Sequence, residues 1–211
     1  MAVKLLLIRH GQTNYNLKKR YSGFADVGLN KTGKQQARGL VKKLEKEKIH
    51  KIYASDRKRA IQTAKILFKN REIEKISDLR EIHFGVFEGL TYKEILQKYP
   101  VIYKRWLKNP YKITVPKGES LSDLKKRVIR AIKKIMNSAK GGSASGGKTV
   151  AIVTHGGVIS VFLNHLLKTR DFWNTIPKSA SLSIVEHKNK KIKINLFNDV
   201  SHLIPPLAGY R

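Results

Sequence analysis

Residues 3–16 read VKLLLIRHGQTNYN. Val3 to Ile8 is a short, nearly continuous apolar run, as expected of a strand buried in a core. Arg9 and His10 follow with no spacer, and then Gly11. An unpaired charge is costly to bury. A core strand ending on two basic side chains therefore either faces solvent at the sheet's edge or meets an anion there. A single strand-end histidine is more often structural than catalytic, so the rest of the chain has to decide.

The same pattern recurs far downstream. Thr149 to Thr154 is a second apolar, β-branched run, and AIVTHGG carries it into His155, Gly156 and Gly157. Two buried strands thus each end on a histidine followed by glycine. If the strands are neighbours, both histidines face one pocket. Further strand patterns cover Ile49 to Ala54, Ser183 to Glu186 and Ile192 to Phe197, and all five read as buried. Helical patterns lie between them, over Lys31–Lys46, Arg57–Lys69, Leu121–Asn137 and Gly156–Lys168. Asn30 is the expected N-cap of the first, and Ser120 with Asp123 forms a capping pair before the third. Alternating strands and helices predict a three-layer α/β fold with a mostly parallel central sheet and helices on both faces. Ligands of such sheets bind beyond the carboxyl ends of the strands.

The 211 residues fit a single domain spanning 1–211. Residues 70–120 depart from the pattern and gather Tyr92, Tyr99, Tyr103, Trp106 and Tyr111. They read as a small insertion over the active edge, a lid that sets specificity. Its aromatics either stack on a substrate ring or form a satellite core of their own. Residues 139–148, around KGGSASGG, read as a flexible loop. There is no cysteine, which excludes a disulfide framework, a thiolate metal site and a cysteine nucleophile. No signal peptide or membrane-length apolar stretch is evident, and a cytoplasmic location is expected. Lys plus Arg number 44 against 15 acidic residues, a formal net charge of +29. The lysines are scattered rather than blocked, as on solvated faces. They predict at most weak, non-specific attraction to nucleic acid.

Five basic residues stand at strand ends or helix starts: Arg9 and His10, Arg57 and Arg59 in the ASDRKRA segment, and His155. Guanidinium groups and helix N-termini both suit tetrahedral oxyanions. Glu81, in LREIHFG, is the acid best placed to join them.

These segments, taken together, resemble the histidine phosphatase superfamily in its phosphoglycerate-mutase-like branch. The resemblance rests on RHGQTNYN, YSGFADVGLNKTGKQQA, ASDRKRAIQTA, LREIHFGVFEG, PKGESLSDLKKRV, VTHGG and NDVSHL, in that order, and covers nearly the whole chain. It implies His10 as a nucleophile that becomes a phosphohistidine, and it selects Arg59 over Arg57 as the second arginine. Arg9, Arg59 and a cationic His155 would hold the phosphoryl oxygens, and Glu81 would serve as general acid and base. Asn16, Ser22, Gly23 and Gly156 would bind substrate. Neither metal nor cofactor is implied. Arg9 and Arg59 should also keep His10 unprotonated, since like charges repel.

The branch includes phosphatases and mutases. Gly157 after Gly156, REIHFG around Glu81, and an insertion without paired arginines, where Arg105 stands among lysines, favour transfer to water. The expected activity is that of a phosphomonoesterase acting on small phosphorylated metabolites, with phosphoglycerate mutase as the alternative. A basic nucleic-acid-binding protein on the same scaffold is the second alternative. His83 and His202 are expected to support the site or to pack. His50, His165 and His187 are expected to be ordinary surface or core residues.

Overall fold

The computed structural model describes residues 2–140, 147–189 and 191–203. Residues 141–146, the centre of the expected flexible loop, lie outside the described residues. Six strands form one sheet in the order β3-β2-β4-β1-β5-β6. They are β1 (Val3–Arg9), β2 (Ile49–Ala54), β3 (Glu74–Lys75), β4 (Lys148–Thr154), β5 (Leu182–Lys188) and β6 (Lys191–Asp199). β1 pairs in parallel with β4, β4 with β2, and β2 with β3. β5 runs antiparallel to β1, and β6 antiparallel to β5. The sheet is therefore mixed but mostly parallel, as expected.

β1 shows why its sequence is continuously apolar. Val3, Leu5 and Leu7 join the core beneath α6 (Leu121–Lys140) and α7 (Gly156–Leu167), while Leu6 and Ile8 join the core beneath α2 (Lys31–Leu44) and α3 (Lys58–Phe68). A strand covered on both faces has no solvent side to mark with polar residues. β6 corrects the expectation of a fifth buried strand. It is the edge of the sheet, and Ile192 and Phe197 are 46% and 41% exposed.

Both expected caps form. The Asn30 side chain accepts from the Gly33 amide at 2.8 Å. The Ser120 hydroxyl accepts from the Asp123 amide at 3.2 Å, and the Asp123 carboxylate accepts from the Ser120 hydroxyl at 2.6 Å. The first turn of α2 presses on the loop after β1 at Gly33. A Cβ there would lie 2.0 Å from the Gln12 carbonyl oxygen and 2.6 Å from its nitrogen. Gly33→Ala is thus expected to destabilise the fold by about 3 kcal/mol, read as a lower urea midpoint with an unchanged m-value.

Between β2 and α6 the chain adds α4 (Tyr92–Lys98) and α5 (Pro100–Lys108), with a one-turn helix, α1 (Asn14–Leu17), across from them. Phe87, Ile95, Tyr103, Trp106 and Val115 form a separate buried cluster here. Tyr103 and Trp106 stack with ring centres 5.9 Å apart and are 2% and 0% exposed. These two aromatics therefore build the satellite core and present no ring face to a ligand. Among the described residues, no helix is long and apolar enough to cross a membrane.

Candidate active site

The β1–β4 register pairs Arg9 with Thr154, so the next residues, His10 and His155, emerge side by side. Their ring centres are 5.2 Å apart. The His10 amide donates to the Thr154 carbonyl at 2.9 Å, which extends the ladder to the site itself. Ser55, just past β2, is held the same way by the Val153 carbonyl. Arg59 arrives from the first turn of α3 and is fully buried. Three adjacent parallel strands thus deliver the site at their carboxyl ends.

Hydrogen bonds fix both imidazole tautomers. His10 Nδ1 lies 2.7 Å from the Gly11 carbonyl oxygen, which can only accept. Nδ1 therefore carries the proton, and the lone pair is on Nε2. Arg59 Nε donates to His10 Nε2 at 3.3 Å and to His155 Nδ1 at 3.2 Å. The His155 proton is then on Nε2, donated to Ser55 Oγ at 2.8 Å.

Burial holds His10 well below the ordinary imidazole pKa, and the cations Arg59 and Arg9 push it further down. The charge repulsion expected from the sequence is present, but burial is the larger cause. His155 is held down in the same way in the free site. Burial, then Arg59, His10, Arg127 and Arg9, hold it far below the ordinary value, so it is neutral rather than cationic at pH 7. Burial likewise pushes Arg59 down to about 10, still charged at neutral pH.

A stability prediction follows from the two depressed histidines. In the unfolded chain both titrate near 6.5. Below that pH the unfolded state binds protons that the native state refuses, so stability is full above about pH 7 and is lost as pH falls. The slope is up to about 1.4 kcal/mol per pH unit for each histidine. Thermal melts should show Tm dropping between pH 7 and 5, less steeply in a His10→Gln variant.

The remaining expected residues fall around a cavity of about 220 Å³ lined by Arg9, His10, Asn16, Ser22, Gly23, Arg59 and Glu81 among others. The loop carrying Ser22 and Gly23 is anchored by Arg59, whose Nη2 and Nη1 donate to the carbonyls of Gly23 at 2.7 Å and Ala25 at 2.8 Å. Gly23 has φ +45°, and a Cβ there would run into the Glu88 carboxylate. The Ser22 hydroxyl and Arg9 Nε are buried without a hydrogen-bond partner. Both are donors at the cavity wall, and a bound oxyanion would satisfy them. Asn16 Oδ1 accepts from the Thr13 amide and hydroxyl at 3.0 and 2.9 Å, which leaves its amide NH2 as the group available to a ligand.

Glu81 is set by backbone donors on both oxygens, the Ile82 amide at 2.9 Å and the Gly157 amide at the start of α7 at 3.0 Å. Arg127 of α6 fixes the chain around it. Its guanidinium donates to the carbonyls of Asp78, Arg80 and Glu81 at 2.9, 2.6 and 2.8 Å. Arg127 was not apparent from the sequence, because nothing local marks a helical arginine that reaches into another loop. Gly156 packs against Arg9: a Cβ there would lie 3.3 Å from the guanidinium carbon and 2.8 Å from Ile176. The glycine that lines the cavity is Gly157.

Several basic residues stay outside. Arg57 stacks on Phe24 at 4.9 Å. His83 leans on the same ring at 4.4 Å. His202 lies beside Gly39 of α2. Arg105 is exposed on α5, away from the cavity. Lys19, Arg20, Phe172 and Trp173 do line it, and none of the four was apparent from the sequence. The adjacent aromatics Phe172 and Trp173, in a polar stretch after α7, were the available signal. Among the described residues, no group of three His, Asp or Glu side chains is arranged to hold a metal ion.

The family model for the histidine phosphatase superfamily (branch 1) matches residues 5–200. Phosphoglycerate mutase-like protein 4 of Arabidopsis thaliana is 35% identical, over 95% of this chain and 86% of that protein. Phosphoserine phosphatase 1 of Hydrogenobacter thermophilus is 31% identical, over 92% of each. The solved structure of Bacillus stearothermophilus YhfR superposes with a TM-score of 0.85 at 32% identity, covering 95% of this chain and 98% of that one.

Proposed function

Since the chain belongs to branch 1 of the histidine phosphatase superfamily, and phosphatases stand among its relatives, we propose that it is a metal-independent phosphomonoesterase of small phosphorylated metabolites. The observation that carries this is the protonation pattern of His10. A neutral imidazole, with its Nδ1 proton on a carbonyl and its Nε2 lone pair met only by a long N–H from Arg59 at 3.3 Å that is shared with His155, stands between the guanidinium groups of Arg9 and Arg59. That is a nucleophile facing an anion site.

In the first step His10 Nε2 attacks phosphorus, the N–P bond forms and the ester P–O bond breaks. Glu81 gives its proton to the departing alkoxide oxygen. The phosphorylated ring is cationic, and Nδ1–H stays on the Gly11 carbonyl, which stabilises that charge. In the second step a water attacks phosphorus and loses a proton to Glu81, and the N–P bond breaks to regenerate neutral His10. Arg9, Arg59, the Asn16 amide and the Ser22 hydroxyl bind the equatorial oxygens as charge spreads over them. A phosphate dianion beside His155 would offset the cations that depress it, so His155 acquires its positive charge with the substrate.

Residues 70–120 act as the lid, contributing Glu81, Ile82 and Phe84 to the cavity wall. Transfer to water is favoured over return to a sugar acid because Arg105 and the other arginines of that insertion lie outside the cavity. The +29 surface adds weak nucleic-acid binding that falls steeply with salt. The test is phosphate release from p-nitrophenyl phosphate and a metabolite panel in EDTA. Release in EDTA supports the proposal. Conversion of 3-phosphoglycerate to 2-phosphoglycerate with little free phosphate would replace it by the mutase, and dependence on added metal would refute it.

A further inference from the structure

Part of the cavity wall is aromatic. Trp173 lines it and is 42% exposed, although tryptophan is an expensive side chain to leave in water. The indole is held in position. Its ring meets Trp106 of the satellite core at 5.3 Å and 79°, and Phe172 at 4.9 Å and 79°. The turn beneath it is pinned by α7, where Ser160 Oγ donates to the Phe172 carbonyl at 2.7 Å and Asn164 Nδ2 to the Asp171 carbonyl at 3.3 Å. Both ring contacts are edge-to-face. Tyr21, Phe84, Phe172 and Ile176 continue the apolar lining on the same cavity. Of the further cations on the cavity wall, Arg20 is already bound by the Glu94 carboxylate at 2.9 and 3.2 Å. Lys19 is exposed to solvent, where its pull on a carboxylate is weak.

We propose that Trp173 is the specificity determinant of the site, and that the preferred substrates are phosphomonoesters whose alcohol carries an aromatic or other planar apolar group. The ring of the leaving group lies against the preorganised indole while the phosphoryl group lies between Arg9 and Arg59. This inference rests on the phosphomonoesterase reading and adds the substrate class to it.

The test compares benzyl phosphate with propyl phosphate, two alkyl esters whose alcohols are of nearly equal acidity, so that leaving-group chemistry cancels. The wild-type protein should favour benzyl phosphate by on the order of tenfold in kcat/KM, mainly through KM. Trp173→Ala should abolish that preference and leave propyl phosphate hydrolysis within about twofold, and Trp173→Phe should restore most of it. Equal kcat/KM for the two esters in the wild type would overturn the proposal. So would a Trp173→Ala variant that loses both activities equally, or a wild-type preference for phosphoserine over benzyl phosphate, which would give the outer cavity to Lys19. Absence of hydrolysis of either ester and of p-nitrophenyl phosphate is a different result, since it removes the phosphomonoesterase reading itself.

Discussion

Replacing His10 by alanine is expected to lower kcat on any phosphomonoester by at least about 10⁴-fold, with no rescue at high substrate. No neighbour can take over. His155 Nε2 donates to Ser55, its Nδ1 shares the Arg59 N–H with His10 Nε2, and His155, unlike His10, is not among the residues that line the cavity. The fold should survive. His10 is a neutral side chain with one hydrogen bond to its own neighbour's carbonyl and a long, shared one from Arg59, and its removal relieves crowding between a ring and two cations. Melting curves and the salt-dependent binding of polyanions should therefore be nearly those of the wild type. A variant that loses activity and unfolds as well would point to a structural histidine.

Glu81→Gln is the second large effect, and its size depends on the substrate. Glutamine keeps the acceptor oxygen for the Gly157 amide but cannot give or take a proton. For an alkyl ester the departing alkoxide needs a proton, and kcat should fall by about 10²–10⁴-fold. For p-nitrophenyl phosphate the leaving group is stable as an anion, so formation of the phosphohistidine should be spared. Only the second step, in which Glu81 takes the proton of water, should slow. Rapid-quench kinetics would then show a burst of nitrophenolate, equal to the enzyme concentration, ahead of a slow steady rate. Equal losses on both substrates without a burst would remove Glu81 from the proton transfers.

The parts of this site legible in the sequence are those that local geometry determines. VKLLLIRH and AIVTHGG are strand ends, and a strand covered on both faces declares itself by composition, so the neighbouring histidines could be anticipated. Arg59 was separable from Arg57 by resemblance alone. The structure gives the physical difference: Arg59 is fully buried and bonds two carbonyls, while Arg57 lies on Phe24. What escaped depends on contacts between distant segments. Trp173 gains its position from Trp106, and Arg127 reaches from α6 to the carbonyls around Glu81. The neutral resting form of His155 was not legible because residue type does not report depth, and burial is the largest influence on it. β6 was misjudged because Ile192, Ile194 and Leu196 read as core, whereas the edge position leaves half of that strand in water.

The central claim is a covalent phosphohistidine at His10. The most direct measurement is to mix the Glu81→Gln variant with a ³²P-labelled phosphomonoester in EDTA, quench in alkali and map the label by peptide. The account predicts label that is stable to base, labile to acid, confined to the peptide containing His10 and absent when His10 is also replaced by alanine. Label that survives loss of His10, or resides on a hydroxyl side chain, would contradict it.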